Sequence, residues 1–362
     1  MTIDFYQRLQ DWLSGHVVAI ATVIQVNGST PREVSAKMLI RVDGEIFGTI
    51  GGGAGEAKII RYARQLLRSE FVRDEVQSCD PSSALEIVSE RFPSVRPNSL
   101  HKGRLMIDLT GLSQRETQGV CGGTMQVWVE CWYPDWGLAI ASQIVQALRE
   151  GRVVTLVTPL THDRVPFIDD HDHQPSHVEK LNERFVEHIH PAPTLLIIGA
   201  GHVGQALAQA SQFSGFQVVI YDDRPEFLGS NRFSEETKVL SGAIALALSN
   251  FWWPQNLYLA LVTRGVASDV ETLTLLMRYV AEQPVCYIGM IGSKQRIRHV
   301  FQRIQEHGAD AQFITSIHAP IGLDIGALTP EEIAISICAE MIQVKRKRLS
   351  QRRLSKLSST TQ

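Results

Sequence analysis

The residues of this chain best suited to chemistry are three groups of glycines, each beside an apolar run. Gly199, Gly201 and Gly204 form a G-x-G-x-x-G motif between a short apolar run and a helical pattern. Backbone amides at the start of such a helix bind phosphate groups, and glycine lets the ligand approach them. Asp222 follows the next apolar run, where an acidic side chain contacts a ribose hydroxyl. The motif predicts a nucleotide-shaped ligand, with a ligand-free Rossmann scaffold as the alternative.

A second glycine group, FGTIGGG at 47–53, lies far upstream. Three successive glycines lose much conformational entropy on folding, so the close approach of a ligand or of backbone is the natural explanation. The polar loop NGSTPR at 27–32 adds a guanidinium that can hold a phosphate or carboxylate with two hydrogen bonds. The residues predicted to bind a ligand here are Arg32, Gly51, Gly52, Gly53 and Glu56. A hairpin loop and a tight strand–helix turn form the alternative that needs no ligand.

The third group, GVCGG at 119–123, places a cysteine beside glycines. Neighbouring backbone amides lower the pKa of a thiol, which would make Cys121 a nucleophile or a soft-metal ligand. We expect Gly122 and Gly123 to contact the same ligand. A small buried side chain is the common role of a free cysteine. From the residue alone, that alternative is favoured.

Further polar groups follow predicted strands in the second half. Gly292 and Ser293 lie in IGMIGSK, where the serine either contacts a ligand or only caps the next helix. The Thr263–Arg264 pair with Asp269 allows either a ligand contact or a salt bridge. His202 lies inside the glycine motif, where loop packing is a better role than proton donation. The predicted cofactor-binding set includes His202, Gly292 and Ser293.

Composition excludes several classes of protein. The chain has 362 residues, of which 44% are hydrophobic and 20% charged, with a formal net charge of −3. These values fit two globular domains and argue against a general nucleic-acid binder. No apolar run approaches the ~20 residues that cross a bilayer, and the amphipathic start is unlike a signal peptide. Five widely separated cysteines form neither a disulfide framework nor a four-cysteine zinc site. We predict a cytoplasmic protein without nucleic-acid or membrane partners.

The predicted fold is α/β, with an α+β domain at 1–190 and a Rossmann-like, doubly wound parallel sheet at 191–362. In the first domain the patterns predict helices at the start, at 54–68 and at 138–148, and strands at 17–26, 38–42, 45–50, 105–109, 125–132 and 153–158. The region 163–193 is interpreted as a polar connection with one short helix at 178–186. Its histidines allow a metal site as the alternative, although their spacing matches no standard ligand pattern.

In the second domain, apolar runs alternate with helical stretches. The predicted strands are 195–198, 218–221, 258–262, 285–288 and 313–317. The last helix is marked by Thr329 at the N-cap, Pro330 at the first helical position and Glu332 two positions later. We interpret the basic tail as a solvated helix end rather than a contact for anions or RNA.

Together these segments resemble the XdhC/CoxI family, whose members are accessory proteins of xanthine dehydrogenase and related molybdenum hydroxylases. The resemblance extends over nearly the whole chain. It rests on ATVIQVNGSTPR, MLIRVDGEIFGTIGGG with Glu56, GVCGG followed by MQVWVE, LLIIGAGHVGQALA, YIGMIGSK and APIGLDIGALTPEEIAISICAE. GTIGGG and the last segment are the distinctive parts, whereas G-x-G-x-x-G is common to many families.

The resemblance implies a molybdenum cofactor chaperone rather than a turnover enzyme. Such a protein binds molybdopterin or its dinucleotide form, protects it, supports its sulfuration with a cysteine desulfurase and delivers it to a xanthine dehydrogenase-type hydroxylase. A homodimer is also implied. On this interpretation Arg32 and Gly51–Gly53 hold the pterin phosphate, Cys121 faces the molybdenum, and Gly199–Gly204 with Asp222 hold a nucleotide or shape a domain interface.

The chain departs from the family pattern at three places. Ser35 stands where a glycine is expected before Ala-Lys-Met, and Gly265-Val266 stand where a histidine often follows Thr-Arg. The histidine-rich connection is not explained by the resemblance. Two other functions remain open: an NAD(P)-dependent oxidoreductase that uses the Rossmann half, and a partner-binding protein whose sheet holds no ligand.

Overall fold

A computed structural model describes residues 2–76, 101–109, 122–169, 177–179, 183–229, 231–283 and 285–358. The chain divides into two compact units, Met1–Pro191 and Ala192–Gln362. Cys121 lies outside the described residues, as do His171 and His173 of the histidine-rich segment.

The first unit contains a five-stranded antiparallel sheet with the order β3-β2-β1-β5-β4. Its strands are β1 (Val18–Asn27), β2 (Lys37–Ile40), β3 (Ile46–Gly48), β4 (Lys102–Asp108) and β5 (Thr124–Trp132). All five strands were expected from the apolar runs, and the predicted hairpin is the antiparallel pair β2–β3.

Helices cover both faces of this sheet, which is why β1 is an almost continuous apolar run. On one face, Ala19 and Ala21 pack against Ile59 and Ala63 of α2 (Gly53–Val76). On the other face lie α1 (Thr2–Leu13) and α3 (Pro134–Arg149), and their buried side chains contact the alternate residues of β1. The three predicted helices are therefore confirmed, with α2 and α3 longer than expected.

The predicted polar connection at 163–193 is wrong. This region forms three strands, β7 (Phe167–Asp169), β8 (His177–Glu179) and β9 (Arg184–Ile189), which join β6 (Val154–Pro159) in the order β7-β6-β9-β8. The helix expected at 178–186 is wrong as well, because β9 pairs along its full length with β6. Phe185 packs against Trp128 and Leu160. Non-local pairing and burial outweigh a weak local helical pattern.

The second unit contains a parallel six-stranded sheet with the order β12-β11-β10-β13-β14-β15. This is the 3-2-1-4-5-6 order of the Rossmann fold, so the predicted fold class is confirmed. The strands are β10 (Thr194–Ile198), β11 (Gln217–Tyr221), β12 (Lys238–Leu240), β13 (Leu257–Leu261), β14 (Tyr287–Met290) and β15 (Ile317–His318). Of these, β12 was not predicted, and β15 overlaps the predicted strand 313–317 only at Ile317.

Six α-helices connect and flank these strands in the described residues: α4 (His202–Phe213), α5 (Ile244–Ser249), α6 (Val266–Glu282), α7 (Lys294–Glu306), α8 (Ala311–Ser316) and α9 (Pro330–Ser358). The strand predicted at 313–317 is wrong over 313–316, which belong to α8, and only Ile317 lies in a strand. Asp310 caps α8 by accepting a hydrogen bond from the Phe313 amide. The capping box is confirmed: Thr329 and Glu332 each accept a bond from the other's backbone amide. Among the described helices, none combines the length and apolarity that a membrane crossing requires.

Ser35 carries a strained backbone in the loop before β2. Its φ is +75°, in the left-handed region that favours glycine. Its Oγ atom is buried without a hydrogen-bond partner among the described residues. The departure from the family pattern therefore falls on a position whose geometry suits the glycine.

We predict that Ser35→Gly raises the free energy of unfolding by about 1 kcal/mol, because glycine adopts this φ without strain. Urea unfolding followed by circular dichroism measures the change. Ser35→Ala is the control, since it removes the orphaned hydroxyl but keeps the Cβ. Equal stability of the glycine and alanine variants would contradict backbone strain as the cause.

Candidate functional site

Three segments from separate parts of the first unit lie together at one end of its five-stranded sheet. They are the loop 27–32, the loop 48–53 and the pair Gly122–Gly123, and we call them the glycine cluster. A Cβ placed on Gly28 would lie 3.0 Å from the Gly122 carbonyl oxygen, and one on Gly51 would lie 2.5 Å from Pro31 Cγ. The two oxygens nearest to a Cβ on Gly123 belong to the first loop. Contact this close requires glycine.

Other glycines of the cluster are not explained by packing. Gly52, Gly53 and Gly122 have φ values of +78°, +69° and +74°, and a Cβ on any of them would meet no heavy atom of the described residues within 4 Å. All three are exposed. Within the described part of the chain, their backbones therefore present a surface that a ligand can approach without meeting a side chain.

Glu56, in the first turn of α2, holds the loop 48–53 in place. Its Oε2 atom accepts hydrogen bonds from Thr49 Oγ1 (2.6 Å) and from the amides of Ile50 (3.0 Å) and Gly52 (3.1 Å). A carboxylate that accepts three donors forms strong, charge-assisted bonds. The Glu56 carboxylate therefore occupies the amides of Ile50 and Gly52, and these two amides stabilise the loop conformation.

Arg32 lies beside this loop. Its Cγ atom is 3.8 Å from a Cβ placed on Gly51, and the residue is exposed. Thr30 Oγ1 donates to the Arg32 carbonyl at 2.9 Å and so supports the turn that presents the guanidinium. The amide of Gly122 donates to Leu109 O at 3.1 Å, which ties the residue after Cys121 into the same end of the sheet.

No group of three or more histidine, cysteine or acidic side chains within the described ranges is arranged to hold a metal ion. His188, from the histidine-rich segment, is hydrogen-bonded to Thr155 Oγ1 at 3.1 Å. The four-stranded sheet β7-β6-β9-β8 explains part of this segment without a metal.

The glycine motif of the second unit divides its roles between packing and access. Gly199 has a φ of +115°, and its Cβ would lie 2.6 Å from Val262 O. A Cβ on Gly204 would collide with the carbonyl oxygen of Gly199. A Cβ on Gly201, by contrast, would meet no heavy atom within 4 Å among the residues that the structure describes. The first and third glycines thus allow the tight turn and close helix packing, and the second leaves the backbone accessible.

A cavity of about 600 Å³ opens beside this motif at the carboxyl ends of β10, β11 and β13. Its lining includes Gly199, Gly201, His202 and Asp222, so the structure brings these four predicted residues together. Such a volume lies within the range of small-molecule sites.

Asp222 is buried, and its carboxylate is fully occupied. Oδ2 accepts bonds from the Ala200 amide (2.8 Å) and Arg224 Nη2 (3.0 Å), while Oδ1 accepts from the amide and Nε of Arg224 (3.0 and 2.9 Å). Burial raises the pKa of Asp222, but these hydrogen bonds and the adjacent guanidinium outweigh it and lower the pKa to about 2. The sequence signal for Arg224 was its position two residues after the acid.

Gly292 and Ser293 organise the start of α7. Ser293 is an N-cap whose Oγ accepts a bond from the Arg296 amide at 3.2 Å, as one of the two sequence interpretations held. A Cβ on Gly292 would lie 3.2 Å from the Arg296 side chain. Both residues therefore position Arg296, which was not among the site residues predicted from the sequence.

Arg296 binds the fully buried Asp269, at 2.8 Å from Nε to Oδ2, and also donates to Thr263 Oγ1. Burial raises the pKa of Asp269, whereas the hydrogen bonds from Thr263 and Arg296 lower it in part. The salt-bridge interpretation of Asp269 is thus the one observed, but with Arg296. Arg264 instead contacts Asp223.

The distinctive segment near the end of the chain is held by Glu340, which sequence reasoning also missed. Its carboxylate accepts bonds from the hydroxyl of Tyr287, the Gly322 amide (2.8 Å) and His318 Nδ1 (3.0 Å). Burial, followed by the bond to Glu340, raises the pKa of Tyr287. The sequence signal for Glu340 was its position as an acidic residue among apolar residues of α9. Through these bonds, Glu340 holds the loop 318–323 against α9.

Comparison with known families agrees with this geometry. A family model described as the XdhC Rossmann domain matches residues 195–341, and one described as the XdhC and CoxI family matches residues 12–74. One segment in each unit therefore matches a model of the XdhC/CoxI family. The second model covers two loops of the glycine cluster, and the first covers the Rossmann cavity.

Curated relatives extend the comparison. YqeB of Escherichia coli (strain K12) is 29% identical over 90% of this chain, which spans 43% of that protein's length. A probable xanthine dehydrogenase subunit from Bacillus subtilis (strain 168) is 26% identical, over 95% of this chain and 98% of its own length. The molybdenum cofactor insertion chaperone PaoD of Escherichia coli (strain K12) is 22% identical, over 92% and 85%.

A solved structure is similar along almost the whole chain. The crystal structure described as a xanthine dehydrogenase from Bacillus halodurans has a TM-score of 0.72 and 25% identity, and the match covers 96% of each chain. The architecture is therefore shared over both units.

The occupied carboxylate of Asp222 predicts a pH dependence. A folded-state pKa below the unfolded value contributes stability that is present above about pH 4 and is lost as the pH falls through about 2. We expect Asp222→Asn to lower the free energy of unfolding by on the order of 2 kcal/mol near pH 6, and by less near pH 3.

Urea unfolding at the two pH values measures this difference. Asp223→Asn is the matched control, because Asp223 is the adjacent acid in the chain and its side chain is about half exposed, at 55%. A stability loss in Asp222→Asn that is equal at both pH values would contradict the lowered pKa.

Proposed function

We propose that this protein is an accessory factor that binds the molybdenum cofactor for a xanthine dehydrogenase-type molybdenum hydroxylase. The observation that carries the proposal is the glycine cluster, in which the exposed backbones of Gly52, Gly53 and Gly122 lie with Arg32 at one end of the sheet. The names of two full-length relatives, a cofactor insertion chaperone and a xanthine dehydrogenase subunit, support it.

The chemistry of the cluster fits such a cofactor. The pterin carries a phosphate, and glycine backbones with a neighbouring guanidinium suit a phosphate group. Glu56 keeps the loop rigid, so the ligand meets a preorganised surface. When bound, the cofactor supplies a soft, thiophilic metal, for which a thiolate is a suitable neighbour.

Within this proposal each residue has a separate task. Arg32 and the Gly51–Gly53 turn hold the phosphate, with Gly53 supplying the amide because those of Gly51 and Gly52 already donate to Thr49 Oγ1 and Glu56. Gly122 and Gly123 follow Cys121 in the chain. The thiolate of Cys121 faces the molybdenum. Support of sulfuration together with a cysteine desulfurase, delivery to the hydroxylase and action as a homodimer complete the proposed role.

An NAD(P)-dependent oxidoreductase is the second candidate function. The observation that favours it is the cavity beside Gly199–Gly204. Among the cavity's described residues, His202 is the imidazole available for proton transfer. This candidate requires NADH oxidation with turnover, whereas the accessory role requires retained molybdenum and pterin.

We predict that the protein purified from cells that make molybdopterin contains molybdenum and pterin in equal amounts, near one of each per chain. Cys121→Ser should lower the retained molybdenum about tenfold, because the hydroxyl is a poor ligand for a soft metal. Metal is measured by mass spectrometry and the oxidised pterin by fluorescence. Cys286→Ser, which changes a partly exposed cysteine of the other unit, is the control.

The outcomes separate the functions. Unchanged molybdenum in Cys121→Ser would remove that residue from the site. NADH oxidation without metal or pterin would favour the oxidoreductase. Absence of every small ligand would leave the role of a partner-binding protein.

A further inference from the structure

The cavity of the second unit has no task in the proposed cofactor-binding role. It lies between the ends of β10 and β13, where the strand order reverses. In open parallel sheets this switch point is where ligands bind. Its volume of about 600 Å³ accommodates a nucleotide-sized molecule.

One wall of the cavity suits a diphosphate. Gly201 leaves its backbone open, and it is the N-cap of α4 without a side-chain capping bond. The first turn of α4 therefore presents backbone amides beside Gly201, whose Cβ position meets no heavy atom of the described residues within 4 Å. His202 and Gly199 line the cavity at the same place.

The opposite wall, at the end of β11, is where a ribose would lie. Asp222 is the acid that the sequence pattern assigns to the ribose hydroxyls, but all four of its acceptor positions are taken by Ala200 and Arg224. Arg224 is further fixed by stacking on Phe227, with Cζ 3.8 Å from the ring centroid. Freeing Asp222 would leave a buried carboxylate without its partner, which is costly.

Asp223 is differently placed. It lines the cavity, and its side chain is about half exposed, at 55%. Oδ2 accepts a bond from the exposed Arg264 at 3.0 Å, and Oδ1 lies 3.9 Å from Arg224 Nε, beyond hydrogen-bond distance. Exposed ion pairs contribute little stability, so a ligand hydroxyl can join or replace Arg264 at small cost.

We propose that this cavity binds a nucleoside diphosphate with free ribose hydroxyls, and that Asp223 accepts hydrogen bonds from those hydroxyls. Asp222 is then a positioning residue that holds the glycine loop. All residues that line this site belong to the second unit, and the titrations that test it use added nucleotides alone. The nucleotide site therefore stands or falls separately from the proposed cofactor role.

The charge of the wall sets the specificity. Three carboxylates line the cavity, those of Asp222, Asp223 and Glu271, against the guanidiniums of Arg224 and Arg264. The local excess of negative charge also acts on Tyr221, whose pKa is raised to about 12 by desolvation first and then by these three acids. A phosphate on the ribose 2′-oxygen would add a further anion here. The site accordingly selects against 2′-phosphorylated nucleotides.

Isothermal titration of the full chain with ADP, 2′,3′-dideoxy-ADP, NAD⁺ and NADP⁺ tests the proposal. ADP should bind at least about tenfold more tightly than its dideoxy analogue, and NAD⁺ at least about tenfold more tightly than NADP⁺. Asp223→Ala should weaken ADP about tenfold and abolish the difference between ADP and dideoxy-ADP.

Arg264→Ala is the matched control, because it breaks the same ion pair but leaves the acceptor in place. It should keep the preference for ADP over the dideoxy analogue. The proposal is overturned if Asp223→Ala retains that preference, if NADP⁺ binds as tightly as NAD⁺, or if neither ADP nor NAD⁺ binds. Circular dichroism of each variant verifies folding.

Two sources could supply this ligand, a free nucleotide or the nucleotide half of a dinucleotide cofactor. Acid release and chromatography of material bound to the purified chain distinguish them: intact ADP or NAD⁺ indicates a free nucleotide, and a nucleotide recovered together with pterin indicates the dinucleotide. Failure of the molybdenum measurement leaves these titrations unaffected, because they use the added nucleotides alone.

Discussion

The structure of the candidate site depends on one carboxylate. Glu56 accepts hydrogen bonds from a hydroxyl and two backbone amides of the loop 48–53, and it does so from the first turn of the helix that covers the sheet. This arrangement fixes a glycine-rich loop that would otherwise gain much entropy by moving. It also sets where the open backbones of Gly52 and Gly53 lie relative to Arg32.

The same device recurs in the second unit. Asp222 accepts a hydrogen bond from the Ala200 amide of the glycine motif. Glu340 accepts one from the Gly322 amide in the loop before α9. In each case an acidic side chain of the protein holds a glycine-containing loop by hydrogen bonds. Other glycines of the same region have space at their Cβ position or a left-handed backbone. A glycine motif with a nearby acid therefore does not identify the ligand contact by itself. The acid can belong to the scaffold.

Local signals explain what the sequence predicted correctly. The apolar run of β1, the Asp43-Gly44 hairpin turn and the capping box at Thr329 act over a few residues, and each structure formed as expected. The sheet at 154–189 was missed because β9 is stabilised by pairing with β6 and by burial of Phe185, which no local pattern reveals.

The site was predictable in kind but not in contacts. Residue types and spacing indicated the three glycine groups, and the structure brings loops 27–32 and 48–53 to Gly122 and Gly123. The partners of the charged groups depend on geometry instead. Asp269 accepts a hydrogen bond from Arg296, which lies on a different helix. Asp222 accepts hydrogen bonds from Arg224, two residues away in the chain. Spacing could not show that a neighbouring acid, Asp223, keeps the exposed position.

The affinity of the Glu56→Ala variant for molybdopterin is the decisive measurement for the proposed cofactor site. Equilibrium dialysis of the full chain against the pterin, with Glu45→Ala as a control on the exposed hairpin, gives this affinity. Loss of the loop's anchor should weaken binding at least about tenfold while the control binds like the unaltered protein. Unchanged affinity in Glu56→Ala would contradict the claim that this ordered glycine loop forms the cofactor site.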